Sequence, residues 1–308
     1  MLWNYRGEKI TDIKHLQYFL EVADQKSFTK AARHLYVSQP TISKMVRNIE
    51  DEFGVTLLDR SGKEMTLTDA GEIVYEQSRT IVASFEHLAD ALASLTGPER
   101  GKLRLGLPPM VGGRFFSGMI RSFRIDYPGI ELQIAEYGAK KATELVDNGE
   151  VEVAITIGDY DSQKLEGFVF HDEPLSVVIP PNCPLGKKGS VSLADLKNQS
   201  FILFPEEFSL RGMITQNCEK AGFQPKIVME SSREDLIMEL VSEKLGITLL
   251  PAGIVQGANL HESKVLKLEG RELTWKLSMV WRRNHYLSFA AKQWIDRARD
   301  CLCAPSIG

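Results

Sequence analysis

The residues best placed to do chemistry in this chain lie between Ser27 and Arg47, in the stretch SFTKAARHLYVSQPTISKMVR. In its second half Ile42, Met45, Val46 and, just beyond, Ile49 recur at helical spacing. They leave Gln39, Thr41, Ser43, Lys44 and Arg47 on another face, which is small, polar and cationic. Short hydrogen-bonding side chains flanked by Lys and Arg suit the edges of base pairs and the phosphates beside them. From Gln25 to Ile49 the chain carries Lys26, Lys30, Arg33, Lys44 and Arg47 and no Asp or Glu. Acidic groups there would repel phosphate. A solvated helical hairpin in an ordinary all-α domain shows the same periodicity, so the choice rests on what surrounds the stretch.

Catalytic and metal-ligating patterns are not evident. His15, His34, His87, His171, His261 and His285 are scattered and fall in no triad or metal motif. Cys183, Cys218, Cys301 and Cys303 lack metal-ligand spacing and are expected to be free thiols, a redox-sensing cysteine being the alternative. No metal and no cofactor is expected.

The polar face needs a scaffold, and the flanking residues supply one. Phe28, Ala31, Ala32 and Leu35 form an apolar stripe behind a Ser27 cap. Tyr36 and Val37 break the period, Ser38 offers a second cap, and Pro40 falls in the first turn, where its missing N–H costs nothing. Two short helices at a tight turn result, a helix-turn-helix whose second helix would enter a major groove. An earlier helix, capped by Asp12 and apolar at Ile13, Leu16, Phe19, Leu20 and Val22, would brace it from behind. Gly54 ends the recognition helix after Phe53. VTLLDRSGKEMTLT then reads as a β-hairpin, or wing, about a Ser61-Gly62 turn. Arg60 and Lys63 at its tip point either to phosphate and the minor groove or to solvent.

From Thr68 and Asp69 to Leu95 there is no proline and one glycine, Gly71. Val74, Ser78, Ile81, Phe85, Leu88, Leu92 and Leu95 alternate steps of four and three and are apolar except Ser78, a heptad seam. Such a helix is about 40 Å long and needs a partner for its stripe. A second copy gives a homodimer; packing against the chain's own C-terminal half is the alternative. Thr96 to Gly101 reads as a linker. Beyond it strand-like runs (103–107, 130–135, 151–157, 175–179, 201–204, 226–229, 246–250 and 273–280) alternate with helix-like ones (115–126, 140–148, 211–221, 233–244 and 288–302). This predicts an α/β region with largely parallel sheets.

The bulk numbers agree with two or three domains in 308 residues. With 43% hydrophobic and 25% charged residues the composition is globular. A net charge of -4 and a pI near 6.0 place any nucleic-acid affinity in a local patch. The opening MLWNYRGEKITD has no signal-peptide core and no later run is long enough to span a bilayer, so a cytoplasmic protein with no membrane partner is expected. Met1 to Thr11 is expected to be a leader without a role.

FLEVADQKSFTKAARHLYVSQPTISKMVRNIEDEFGVTLLDR followed by LTDAG resembles the LysR-type transcriptional regulators, and the resemblance runs from Ile13 onward. VEVAI, GFQPK and LGITLLP fall where that family's effector domain has similar pieces. The resemblance implies a winged helix-turn-helix domain over 12–68, a linker helix over 69–96, a hinge over 97–101 and an α/β effector domain over 102–308. The last would be two-lobed, like a periplasmic binding protein, with lobe I at 102–160 and 267–308 and lobe II at 161–266. The chain would cross near Gly158 and return near Leu266. It implies double-stranded promoter DNA as partner, with Gln39, Thr41, Ser43 and Lys44 reading bases. Ser27, Thr29, Arg33, Arg47, Arg60 and Lys63 would hold phosphates, while Ser38 and Pro40 shape the entry turn.

Val74, Ile81, Phe85, Leu88, Leu92 and Leu95 would join a homodimer, doubled to a homotetramer through effector domains. A small effector would sit in the interlobe cleft, near Pro109, Met110, Val111, Gly112, Gly138, Phe204, Ser209, Arg211 and Ser231. Where many members hold a carboxylate with Ser or Thr, this chain has Pro109, Met110 and Val111, leaving backbone N–H groups of Val111 to Gly113 as donors. Arg211 is either an anion ligand or a partner of Glu206 or Glu207. The wording YFLEV, SFTKAA and YVSQPTISKM is similar to a branch linked to holin-like operons and overflow metabolism, which suggests a carboxylate such as acetate or pyruvate. A solute-binding protein or an enzyme on the same two-lobed fold remains the rival reading.

Overall fold

Asp12, Ser27 and Ser38 each end an extended stretch and start a helix. This computed structural model describes residues 12–62, 65–96, 101–260, 262–270 and 273–303. The expected leader, Lys63 and most of the hinge lie outside the described residues, as do the side chains of Leu95 and Pro109. The chain divides into two compact units, with the break after Thr96.

In the first unit α1 (Ile13–Gln25) is capped by Asp12, whose carboxylate accepts from Lys14 N. α2 (Phe28–His34) starts on Ser27, which accepts from Lys30 N, and α3 (Gln39–Phe53) on Ser38, which accepts from Thr41 N. Gly54, at φ 66°, closes α3. The wing is β1 (Leu58–Asp59) against β2 (Thr66–Leu67), antiparallel with Leu58 opposite Leu67. α4 (Asp69–Thr96) follows. Phe19, Val22, Ala31, Ile42, Val46, Ile49 and Leu57 are fully buried between these elements. Each of the larger ones contributes about 1.5–3 kcal/mol.

The seam of α4 begins later than its spacing predicts. Val74 packs, half-buried, against the core of its own unit, and Ser78 is buried. The first turns of α4 lie on α1, so their apolar side is already covered. From Ile81 onward Ile81, Phe85, Leu88 and Leu92 stand half-exposed at steps of four, three and four.

The second unit runs β3 (Gly101–Leu107), α5 (Pro109–Val111), a π-helical turn (Gly112–Phe116), α6 (Ser117–Asp126), β4 (Ile130–Glu136), α7 (Ala139–Asp147) and β5 (Val153–Ile157). The long β6 (Leu165–Ile179) is followed by β7 (Ser190–Val191), β8 (Ser200–Leu203), α8 (Ser209–Lys220), β9 (Lys226–Glu230), α9 (Glu234–Ser242), β10 (Thr248–Pro251) and α10 (Ala252–Gly257). β11 (Lys264–Leu268), β12 (Thr274–Arg282) and α11 (Phe289–Leu302) complete it. Eight strands form one sheet in the order β4-β3-β5-β12-β6-β11-β7, with β10 also on β6. β8 and β9 form a parallel pair, and Phe201 bridges to Ile247.

Two expectations change here. The sheets are mixed rather than largely parallel: β3 is parallel to β4 and β5, but β12 is antiparallel to β5 and β6, and β10 and β11 are antiparallel to β6. The crossing between lobes falls at Pro174 and Leu175, not near Gly158. β6 pairs with β12 from Leu165 to Pro174, then with β10 and β11 from Leu175 to Ile179, so one strand serves both lobes. The chain returns between Leu268 and Thr274. Running in opposite directions, β6 and β12 pair antiparallel, as a chain that leaves a lobe and comes back must.

Candidate nucleic-acid interface and ligand cleft

Helix α3 presents its polar face at its own beginning. Ser38, Gln39, Pro40, Lys44 and Arg47 are exposed, and Thr41 and Ser43 are half-buried beside them. Ser38 Oγ lies 2.7 Å from Thr41 Oγ1, and Gln39 Nε2 donates to Ser43 Oγ at 3.0 Å. These contacts tie the four side chains to one another in two pairs. On α2, Thr29 and Arg33 are exposed and Ser27, its cap, is half-buried. The first-turn amides of each helix add partial positive charge at its start.

The wing is tied to the recognition helix by a residue the sequence did not single out. Glu50 accepts from Leu57 N at 2.9 Å and from Arg60 Nη2 at 3.3 Å. Arg60 also lies over the Phe28 ring, 4.8 Å from its centroid. Arg60 therefore has partners inside the unit and keeps only its remaining N–H groups for any other contact. Beside it the Ser61 N–H and hydroxyl donate to Asp59 and hold its carboxyl below the usual range, so the hairpin carries an anion as well as a cation. Behind the interface Tyr75 of α4 donates to Asp24 at the end of α1. Burial, then this bond, raise the phenol above its ordinary value. Contacts so far apart in sequence leave no local signal.

In the second unit the carboxyl ends of β8 and β9 bring together Phe204, Ser209, Arg211, Glu230 and Ser231. Arg211 pairs with Glu230, Nη2 to Oε1 at 3.3 Å, rather than with Glu206 or Glu207. Its side chain is 11% exposed, and Nη1 is buried without a hydrogen-bond partner among the described residues. Ser209 opens α8 without capping it. Ser231 Oγ accepts from Arg233 N at 3.1 Å. Gly138, before α7, comes so close to the Glu207 carbonyl that a Cβ would lie 2.6 Å from its oxygen. Lobe I thus approaches the start of the α8 loop at a point where only glycine fits.

Three expected ligand contacts do not fit the geometry. Val111 and Gly112 sit in α5 and the π-helical turn, and their amides donate to Pro108 O at 2.9 and 3.4 Å. Those donors are engaged within the chain. The side chains of Val111 and Phe204 are in the core, Phe204 stacked on Phe208 with centroids 5.3 Å apart. Met110 instead lines a cavity of about 500 Å³ with Arg114, Glu234, Asp235, Met238 and Ile254. Arg114 donates to Gly253 O, while Gly253 N donates to Glu173 at 2.7 Å, linking the two lobes beside the crossing strand. All four cysteines are free. Among the described residues no group of His, Cys, Asp and Glu is arranged to hold a metal, and no helix is long and apolar enough to cross a membrane.

Comparison with known proteins gives the same division of labour. The family model described as a bacterial regulatory helix-turn-helix protein, lysR family, matches residues 13–72, and that of the LysR substrate binding domain matches residues 96–302. The uncharacterized HTH-type transcriptional regulator YwbI of Bacillus subtilis is 41% identical over 96% of this chain and 98% of its own length. The transcriptional dual regulator GltC of the same organism is 33% identical over 92% and 95%. Among solved structures the LysR family regulator CbnR, free and in complex with its target DNA, superposes with TM-scores of 0.68 and 0.67. At 20% identity it covers 94% of this chain and 99% of its own.

Proposed function

The chain belongs to the LysR family of transcriptional regulators, and on that premise we propose which of its residues read DNA, join copies and sense a ligand. It is a DNA-binding regulator with an effector-binding domain, not an enzyme. One observation carries the reading of the interface: the start of α3 offers Gln39, Thr41, Ser43 and Lys44 on a surface that has Arg33 and Arg47 nearby and no acid from Gln25 to Ile49. Gln39, Thr41, Ser43 and Lys44 address base edges. Ser27, Thr29, Arg33, Arg47 and the tethered Arg60 hold phosphates, and Lys63 joins them at the wing tip. Such a protein works in the cytoplasm, where the promoter is.

The exposed run Ile81, Phe85, Leu88 and Leu92 joins two α4 helices, which sets two recognition helices at successive grooves of an interrupted palindrome. Effector domains double the dimer to a tetramer. The effector is a small carboxylate held at the start of α8 by Arg211, with Ser209, Ser231 and Gly138 around it. The unsatisfied Nη1 of Arg211 supports an anion, because leaving such a group unpaired costs about 1–3 kcal/mol that a carboxylate oxygen would offset. Acetate and pyruvate are the first candidates. Binding shifts the lobes about the β6 and β12 crossing and so alters the bend between half-sites.

Titration of a promoter footprint with salt tests the interface. Ser43→Ala and Lys44→Ala should abolish the footprint with the oligomer unchanged. A footprint that survives both moves the recognition surface elsewhere. A thermal-shift series with acetate, pyruvate and other small carboxylates tests the sensor. Stabilisation that Arg211→Ala removes is expected; stabilisation that persists in Arg211→Ala places the ligand away from α8.

A further inference from the structure

Tyr36 lies at the turn between α2 and α3, where the backbone makes an ordinary helix ending with an unusual residue. Val37 N donates to Ala32 O at 3.0 Å and Tyr36 N to Arg33 O at 3.3 Å. Together they form the six-to-one and five-to-two pair of a Schellman ending, with Tyr36 at the left-handed position, φ 54°. Glycine or asparagine is favoured there, and a residue with a bulky Cβ substituent is held against its preference. Among the described residues the other non-glycine positions with positive φ are two lysines and two asparagines, so Tyr36 is the one aromatic of that set. Among the described residues its ring and hydroxyl have no hydrogen bond or ring contact in return. Tyr36 is 96% exposed, more than any other large hydrophobic side chain described.

We propose that Tyr36 is a further DNA-contacting residue, whose phenol O–H donates a hydrogen bond to a backbone phosphate at the edge of the groove that α3 enters. The inference rests on the interface assigned to α3 and deepens it. One residue, Val37, separates Tyr36 from Ser38, the cap at the leading end of the recognition helix, and that end approaches the duplex. The phosphates flanking a major groove lie beside such an end, and tyrosine hydroxyls are among the groups that bind them. The surroundings favour an anion: Arg33 precedes the turn, Lys44 follows it, and the segment carries no acid, while the Glu21 carboxylate behind it is engaged by His34 Nδ1 at 2.8 Å. An exposed aromatic ring in a strained position, next to a cationic surface and without a partner among the described residues, is accounted for by a contact made outside the chain.

Arg47→Ala, Tyr36→Phe and Tyr36→Asn, compared on one duplex, separate the possibilities. The duplex is recovered from fragmented genomic DNA by binding to the wild-type chain, and affinity is read by fluorescence anisotropy across a salt series. Both Tyr36 variants should bind about tenfold more weakly, as for loss of a hydrogen bond to a charged group. Their salt slope should match the wild type, because a neutral phenol displaces no counterion, whereas Arg47→Ala should lower the slope by about 0.9. Tyr36→Asn should keep or raise the thermal midpoint, since asparagine tolerates the left-handed backbone, so misfolding cannot account for its weaker binding. Wild-type affinity in either Tyr36 variant, or a changed slope, overturns the inference. If Arg47→Ala also leaves affinity and slope untouched, the interface itself has been misassigned.

Discussion

Leu88→Lys should split the dimer, and the exposures along α4 set the size of the effect. Ile81, Phe85, Leu88 and Leu92 are 50%, 54%, 55% and 56% exposed in the single chain. Complete burial of such a side chain contributes about 1.5–3 kcal/mol, so covering the exposed half contributes about 1 kcal/mol. Two helices bring eight such halves together, roughly 8 kcal/mol of gross attraction before the cost of association. Leu88→Lys removes two of the eight and puts two ammonium groups on the same seam, each losing at least about 1 kcal/mol of hydration. The total, about 4 kcal/mol, is roughly a thousandfold in dissociation constant. Sedimentation velocity at micromolar concentration should then show the variant a step lower in the assembly, while Leu88→Met, which keeps the volume, should sediment as the wild type. Val74→Lys makes the reasoning sharper. Val74 belongs to the core of its own unit, so this change should lower the thermal midpoint rather than dissociate folded chains. An unchanged sedimentation profile for Leu88→Lys would remove the seam from the account of dimerisation.

Gly71→Ala should destabilise the first unit by about 1–3 kcal/mol, because the added Cβ would stand 2.1 Å from the Leu57 carbonyl oxygen and push the wing off α4; an unshifted urea midpoint would contradict this. Cys218 is fully buried and burial pushes its thiol up to about 11, so at pH 8 only about one in a thousand is thiolate. The exposed Cys301 and Cys303 should react with a thiol reagent in the native state while Cys218 waits for unfolding, and equal rates would refute the burial. The Tyr75 phenol is raised by burial and by its bond to Asp24, so the stability it adds is full below about pH 10, the unfolded value, and falls as pH rises toward the folded one. The gap in urea midpoint between wild type and Tyr75→Phe should narrow from pH 7 to about pH 10.5, and a constant gap would break the link.

How much was legible depended on how local the cause was. Asp12, Ser27, Ser38 and Gly54 act within one turn of themselves, and each cap stands where its residue type and the following apolar period place it. The wing follows from two short apolar runs about Ser61-Gly62. β6 was only half visible. Leu175 to Ile179 is a mainly buried, mainly apolar run, but the preceding LEGFVFHDEP is mostly half-buried without a regular alternation and carries Gly167, His171, Asp172, Glu173 and Pro174. Its strand character comes from pairing with β12, more than a hundred residues away. β11, KVLKL, escaped for the same reason. The start of the dimer seam was misjudged because periodicity names a face without saying what covers it; α1 covers Val74 and leaves Ile81 open.

The two candidate sites differ in the same way. A recognition face is one helix long, so its polar residues, its caps and its lack of acids all lie in one continuous stretch that composition can expose. A ligand cleft is assembled from the ends of β3, β8 and β9, and what each residue offers depends on partners from other strands. Val111 and Gly112 lacked the Ser or Thr of an anion loop and were expected to offer backbone amides instead, yet a helical turn engages those amides on Pro108. Arg211 had two acidic neighbours in sequence, yet it pairs with Glu230, which the parallel register of β8 and β9 brings alongside. Glu230 also changes what Arg211 can bind. If the proposed carboxylate binds here, it would meet a guanidinium already paired at Nη2, so a small ligand with a single carboxylate would be favoured over a dicarboxylate. Glu230→Gln should accordingly widen the range of anions that stabilise the protein in a thermal-shift series, and an unaltered ranking of mono- and dicarboxylates would show that Arg211 does not face the ligand.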